Sequence, residues 1–198
     1  MVDAVSGSGD LAWALRPTVG GRVSSRADRA LIRAAQDGEA DALSELFQRH
    51  WGMAHRAAYL VVHDAAAAED IAQEAFLAAV RALDRFDRRR PFAPWLHRIV
   101  VNRAIDHARA RALRREVELG EPAEAQAPEP PSENHDEVVA RLAALPADQR
   151  AVIVLRYLLE YTPGEIAGLL ELPRGTVNSR LRRGLDALGR AMAEEAER

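Results

Sequence analysis

The chain has 198 residues, 48% of them hydrophobic, and carries 27 basic and 30 acidic side chains for a net charge of -3; this suits one or two compact domains, each with its own core. The absence of cysteine excludes disulfides, thiolate metal sites and a cysteine nucleophile, and fits a reducing compartment. No basic segment leads into an apolar stretch at the N-terminus and nowhere do 18 apolar residues run uninterrupted, so a soluble, cytoplasmic chain without membrane insertion is expected.

Every basic residue is arginine, and the arginines are unevenly spread. Residues 1–115 hold 18 Arg against 14 acids, residues 116–137 hold eight acids and no Arg, and residues 138–198 hold nine Arg against eight acids. Within the first part, residues 81–115 concentrate eleven Arg and three acids, the local field that a polyanion would meet.

In chain order, residues 1–27 mix Gly, Ser and Arg with little apolar periodicity and read as a mobile extension, despite Trp13. From Ala27 to Leu113 the spacing of apolar residues is helical, as in Leu43, Leu46, Phe47, Ala54 and Ala57. Breaks at Asp37-Gly38, His63-Asp64 and Asp87 to Pro91 divide this stretch into about four helices of one bundle.

The third of these, roughly Ala68 to Asp84, is expected to turn Ala72, Phe76, Ala79, Val80 and Leu83 to the core. Asp70, Gln73, Glu74 and Leu77 then form a mixed acidic and apolar stripe on the other side. A leucine within such a stripe suits a protein partner, while the charges alone suit a solvated face, and the residues leave the two readings level.

Residues 91–115 start with prolines and aromatics and continue as a long basic helix. Arginines beside Phe86, Phe92 and Trp95 can hold single-stranded nucleic acid by phosphate contact and base stacking, although Trp95 and Ile99, one turn apart, read more readily as core. His55, His63, Asp64, Glu69 and Asp70 cluster in one helical pair without any recognised ligand spacing, so a metal site is not expected. His97 and His107 read as solvated or phosphate-facing. No Gly-rich phosphate loop and no Ser/His/Asp arrangement is present, so neither an enzyme nor a cofactor is expected.

The stretch Glu116 to Glu137 contains Pro122, Pro128, Pro130 and Pro131 among its acids and lacks bulky apolar residues, so it reads as a linker. Flexible, it would average roughly 25 Å end to end, and extended about 70 Å. Its charge resembles that of a nucleic acid. A second helical unit follows from Val138.

That unit contains TPGEIAGLLELPRGTVNSRLRRGLDAL, residues 162–188. Thr162, Pro163 and Glu165 form a capping box at the start of a short helix, which Glu171-Leu172-Pro173 then breaks. In the next helix Val177, Leu181, Leu185 and Leu188 share a stripe, and Arg174, Asn178, Ser179, Arg182 and Arg183 face outward. A polar, arginine-rich second helix after a tight turn reads as a DNA-reading helix-turn-helix, since Arg suits guanine edges and Asn adenine in the major groove; the plainer alternative is an ordinary helical hairpin with a solvated arginine face. The helix before it, Gln149 to Glu160, would be its support.

With AEDIAQEAFLAAVRALDRFD and PFAPWLHRIVVNRAIDHARAR in its first domain and LPADQRAVIVLRYLLEYTPGEIAGLLELPRGTVNSRLRRGLDAL in its second, the chain resembles the extracytoplasmic-function sigma factors of bacterial RNA polymerase. The first segments resemble region two of that family, the last region four. The resemblance implies an all-α protein of two helical domains: region two over 28–115, an acidic linker over 116–137, and region four over 138–198.

It further implies that Asp70, Gln73, Glu74 and Leu77 dock on the clamp helices of the polymerase's largest subunit. Phe86, Arg88, Arg89, Phe92, Arg98 and Asn102 would read and open the minus-ten element of promoter DNA. Arg174, Thr176, Asn178, Ser179, Arg182 and Arg183 would read the minus-thirty-five element. The flap of core RNA polymerase and an anti-sigma factor are further implied partners, with the linker threading toward the RNA channel. Asn178 departs from the Lys or Arg of many relatives, and the loop closed by Arg90-Pro91 varies within the family, so the promoter sequence cannot be transferred. A free-standing helix-turn-helix regulator is the rival reading, but it accounts only for residues 138–198.

Overall fold

The computed structural model describes residues 25–119 and 134–196. Residues 1–24 of the extension read over 1–27, and the middle of the linker, residues 120–133, lie outside the described residues, while a helix already begins at Ser25, within that expected extension. Among the described residues all regular structure is helical, and they fall into two compact units. One comprises residues 25–59 and 64–104; the other comprises residues 60–63, 105–119 and 134–196.

In the first unit, helix α1 (Ser25–Gln36) has Asp28 in its first turn and Arg33 in its last, each favourably placed against the helix dipole. It ends at Gly38, whose φ of 96° is where a side chain would be strained. Helix α2 (Ala40–Val62) buries Ala42, Leu46, His50, Ala54, Ala57 and Ala58, the three-and-four spacing of one helix face. His63 adopts the left-handed conformation, φ 52°. Asp64 then caps helix α3 (Ala65–Ala82) by accepting the Ala67 N–H at 3.0 Å, so the expected break at His63-Asp64 is a helix end followed by a helix cap.

Helix α3 buries Ala68, Ile71, Ala72, Ala75, Phe76 and Ala79. A 3-10 turn, Leu83–Arg85, and a short loop lead to helix α4 (Phe92–Leu119), which buries Leu96, His97, Val100, Val101 and Ala104. Pro94 lies in its first turn, where the missing N–H costs nothing. Four helices make this part of the chain, as the periodicity predicted.

Helix α4 runs four residues into the expected linker, and helix α5 (Asn134–Ala143) begins within it. The physical reason is that Glu116-Val117-Glu118-Leu119 contains no breaker, the first being Gly120. In the second unit, helix α6 (Ala147–Ile153) widens into a π-helical turn, Val154–Leu158. The supporting helix expected over 149–160 is therefore not uniformly α. Leu159 N–H reaches back to the Val154 carbonyl at 3.1 Å, and Glu160, at φ 58°, ends the helix.

Helix α7 (Pro163–Leu170) carries the complete capping box: the Thr162 hydroxyl accepts the Glu165 N–H, and the Glu165 carboxylate accepts the Thr162 N–H at 2.7 Å. Glu171, at φ 54°, turns the chain into helix α8 (Arg174–Ala196). Val177, Leu181 and Leu188 of α8 are buried and Leu185 half-buried, the stripe that the sequence predicted.

Candidate docking groove and nucleic-acid surfaces

On α3, Asp70, Gln73, Glu74 and Leu77 are all exposed. Leu77, at 54% exposure, is accompanied by Val80 at 40% and by Phe47 of α2 at 39%. The exposure of Val80 corrects the sequence reading, which turned it to the core, and Phe47 adds an apolar side chain that the reading did not assign to this face. Val80 lies three residues after Leu77 and therefore shares its face, while Phe47 stacks on Trp51 with ring centroids 4.8 Å apart and meets Phe76 at 4.7 Å. Phe47, Phe76, Leu77, Val80 and Leu83 line an apolar groove of about 580 Å³. Gln73, part of its lining, donates to Glu69 at 3.3 Å, and on the neighbouring exposed part of α3 Glu74 pairs with Arg103 of α4 at 2.8 Å.

The segment from Leu83 to Phe92 presents Arg88 and Arg89 to solvent. Its turns are closed by Phe86 N–H to the Leu83 carbonyl at 2.9 Å and Arg89 N–H to the Asp87 carboxylate at 2.9 Å. Phe86 and Phe92 are buried, 8% and 4% exposed, which corrects the expectation that both face a nucleic acid. They pack around Trp95, at ring distances of 4.6 and 5.6 Å, because their loop closes onto the core instead of projecting from it. Trp95 and Ile99, expected in the core, are half-buried. Arg98 is exposed and Asn102 half-buried.

Beneath this surface lies a polar cluster that sequence reasoning missed. Asp28 of α1 and His50 of α2 are each 2% exposed, with His50 Nε2 3.2 Å from Asp28 and Arg49 3.6 Å from the same carboxylate. Burial holds the His50 imidazole below its ordinary range despite the Asp28 charge. His97 is buried too, and burial with the nearby His50 pushes it down to about 3. The reading of His97 as solvated is thus corrected. The signal was present, since His97, Val100, Val101 and Ala104 share one helix face. No group of His, Asp and Glu among the described residues could hold a metal ion.

In α8, Arg174, Asn178, Arg182 and Arg183 are exposed and Thr176 and Ser179 half-buried. Local bonds order this face: the Ser179 hydroxyl donates to the Thr176 carbonyl at 2.9 Å, and Arg183 Nε donates to the Ser179 carbonyl at 3.2 Å. Arg180 is different. Its side chain is 18% exposed and pairs with Asp148 of α6 at 3.0 Å, because it sits beside the buried Val177 and Leu181 and not on the outward face.

Residues 46–114 match Sigma-70 region 2 and residues 135–188 match Sigma-70 region 4. The chain is 32% identical to the ECF RNA polymerase sigma factor SigW of Bacillus subtilis (strain 168), over 82% of this chain and 95% of the relative. It is 33% identical to the ECF RNA polymerase sigma-E factor of Escherichia coli (strain K12), over 81% and 92%. Among solved structures it is similar to CnrH in complex with the cytosolic domain of CnrY, with a TM-score of 0.64 and 31% identity over 85% of this chain and 98% of that one. It shares the fold of the sigma factor RpoE in complex with the anti-sigma factor NepR from Bartonella quintana, with a TM-score of 0.61 and 21% identity over 76% and 96%. No helix among the described residues is long and apolar enough to cross a membrane. With both regions present in order on one helical chain, this protein belongs to the ECF sigma factors, which direct RNA polymerase to promoters.

Proposed function

We propose that the chain acts by binding alone, through three surfaces of separate purpose. The groove edged by Phe47, Gln73, Leu77 and Val80, together with the exposed Asp70 and Glu74 of the same helix α3, receives the clamp helices of the polymerase's largest subunit. Exposed apolar side chains ringed by charge are suited to a protein interface, the apolar part supplying burial and the acids selecting a basic partner. Arg88, Arg89, Arg98 and Asn102 read and open the minus-ten element, with Phe86 and Phe92 supporting the loop from within. Arg174, Thr176, Asn178, Ser179, Arg182 and Arg183 read the minus-thirty-five element in the major groove.

The observation that carries this reading is that Arg88, Arg89 and Arg98 are exposed in the first sigma region and Arg174, Asn178, Arg182 and Arg183 in the second, while Phe47 of α2 and Leu77 and Val80 of α3 are exposed apolar side chains. Two of the similar solved proteins are described in complex, CnrH with the cytosolic domain of CnrY and RpoE with NepR. An anti-sigma protein that covers the polymerase-binding face fits the same groove here. Working with polymerase places the chain in the cytoplasm. The test is run-off transcription by core polymerase on a genomic library, with and without the chain. Discrete, chain-dependent transcripts sharing two spaced elements are expected; transcripts independent of the chain would refute the proposal.

A further inference from the structure

One side chain outside the residues matched to region two holds the loop that carries Arg88 and Arg89. Gln36, the last residue of α1, is half-buried. Its Nε2 donates to the Leu83 carbonyl at 2.7 Å and to the Phe86 carbonyl at 3.2 Å, and its Oε1 accepts a hydrogen bond from Arg88 Nε. A primary amide has two N–H donors and one carbonyl acceptor, so both donors and the acceptor are engaged on one loop. The carbonyls lie at the start and just past the end of the 3-10 turn Leu83–Arg85, which fixes the path of the chain, while the third bond fixes the direction of the Arg88 guanidinium.

Helix α1 is itself anchored. Asp28, two turns upstream of Gln36, is buried against His50 and Arg49 of α2, so Gln36 projects from a fixed support. A loop held only by its own turn bonds would leave Arg88 and Arg89 to lose rotational freedom on meeting DNA, and prior ordering removes part of that cost.

We propose that Gln36 is a positioning residue for recognition of the downstream promoter element, acting through the Leu83–Arg90 loop. This inference rests on the reading of Arg88 and Arg89 as contacts to that element. The residue type is specific. Glutamate would keep the acceptor for Arg88 but set a carboxylate against two carbonyls, and methionine would preserve the volume while losing all three bonds.

The test uses holoenzyme assembled from the full chain and core polymerase, transcribing a promoter recovered by run-off from genomic DNA and versions of it altered in the upstream or the downstream element. Gln36→Met is expected to lower discrimination at the downstream element roughly fivefold, the ratio that one neutral hydrogen bond supports. Affinity for core polymerase and upstream preference should stay at the wild-type level. Gln36→Glu should show the same selective loss, since both donors are gone. In a background of Arg88→Ala with Arg89→Ala, Gln36→Met should have no further effect, which a residue supporting only the fold would not show.

Wild-type downstream preference in Gln36→Met, alongside impairment in the double-arginine variant, would overturn the inference. So would a parallel loss of core binding and of both preferences, the mark of a purely structural role. Should the double-arginine variant itself retain wild-type preference, the reading of the loop as a DNA reader fails, and the inference fails with it.

Discussion

Gly184 of α8 lies directly against Ile153 of α6: a Cβ on Gly184 would stand 2.7 Å from Ile153 Cδ1 and 3.4 Å from Gln149 Cβ. Ile153 is fully buried, so its terminal methyl has little room to turn aside. Gly184→Ala therefore sets an overpacking cost of about 1–3 kcal/mol against a gain of up to about 1 kcal/mol in helix propensity. Net destabilisation on the order of 1 kcal/mol is expected by urea denaturation. Ile153→Val removes the clashing methyl, so the two substitutions together should be less destabilising than the sum of each alone. Strict additivity would show that the contact does not limit the packing.

The docking face gives a second prediction. Asp70 and Glu74 are exposed, and the Glu74 partner Arg103 is itself 39% exposed, so losing that pair should cost at most about 1 kcal/mol of stability. Asp70→Arg combined with Glu74→Arg should leave the melting temperature nearly unchanged and abolish core polymerase binding in a pull-down. Retained binding would remove this face from the interface.

The promoter contacts proposed above predict different phenotypes for the two sigma regions. Arg182 and Asn178 are exposed one turn apart on α8, whereas Asn102 belongs to α4. Loss of one bidentate base contact costs about 1–3 kcal/mol of discrimination, so Arg182→Ala should relax preference at the upstream element alone. Asn102→Ala should impair only the downstream element. Transcription from promoters altered in one element at a time distinguishes them, and an exchange of the two phenotypes would reverse the assignment.

The buried histidines predict acid sensitivity. An unfolded histidine titrates near 6.5, while His97 in the folded chain is pushed down to about 3. As pH falls below 6.5 the unfolded state takes up a proton that the native ring refuses, so stability falls by up to about 1.4 kcal/mol per pH unit until the native ring protonates. His50, also lowered by burial, acts in the same direction. Urea denaturation between pH 7 and pH 4 should give a shallower loss for His97→Leu than for the wild type, whatever the variant's stability at neutral pH. Equal slopes would contradict this account.

The sequence by itself determined whatever depends on near neighbours in the chain. The Thr162–Glu165 capping box, the stop at Gly38, the break at His63-Asp64 and the outward set Arg174, Asn178, Arg182 and Arg183 were legible because each rests on a bond or a helical spacing within a few residues. Tertiary structure alone decided where burial departs from that local spacing. Val80 looks like a core residue in its helical spacing yet stays 40% exposed, and Phe86 and Phe92 look like stacking residues until their loop closes over Trp95. The Asp28–His50 contact and the three bonds of Gln36 join residues 22 to 52 positions apart. No local pattern encodes such pairs, because their partners are chosen by the packing of one helix against another.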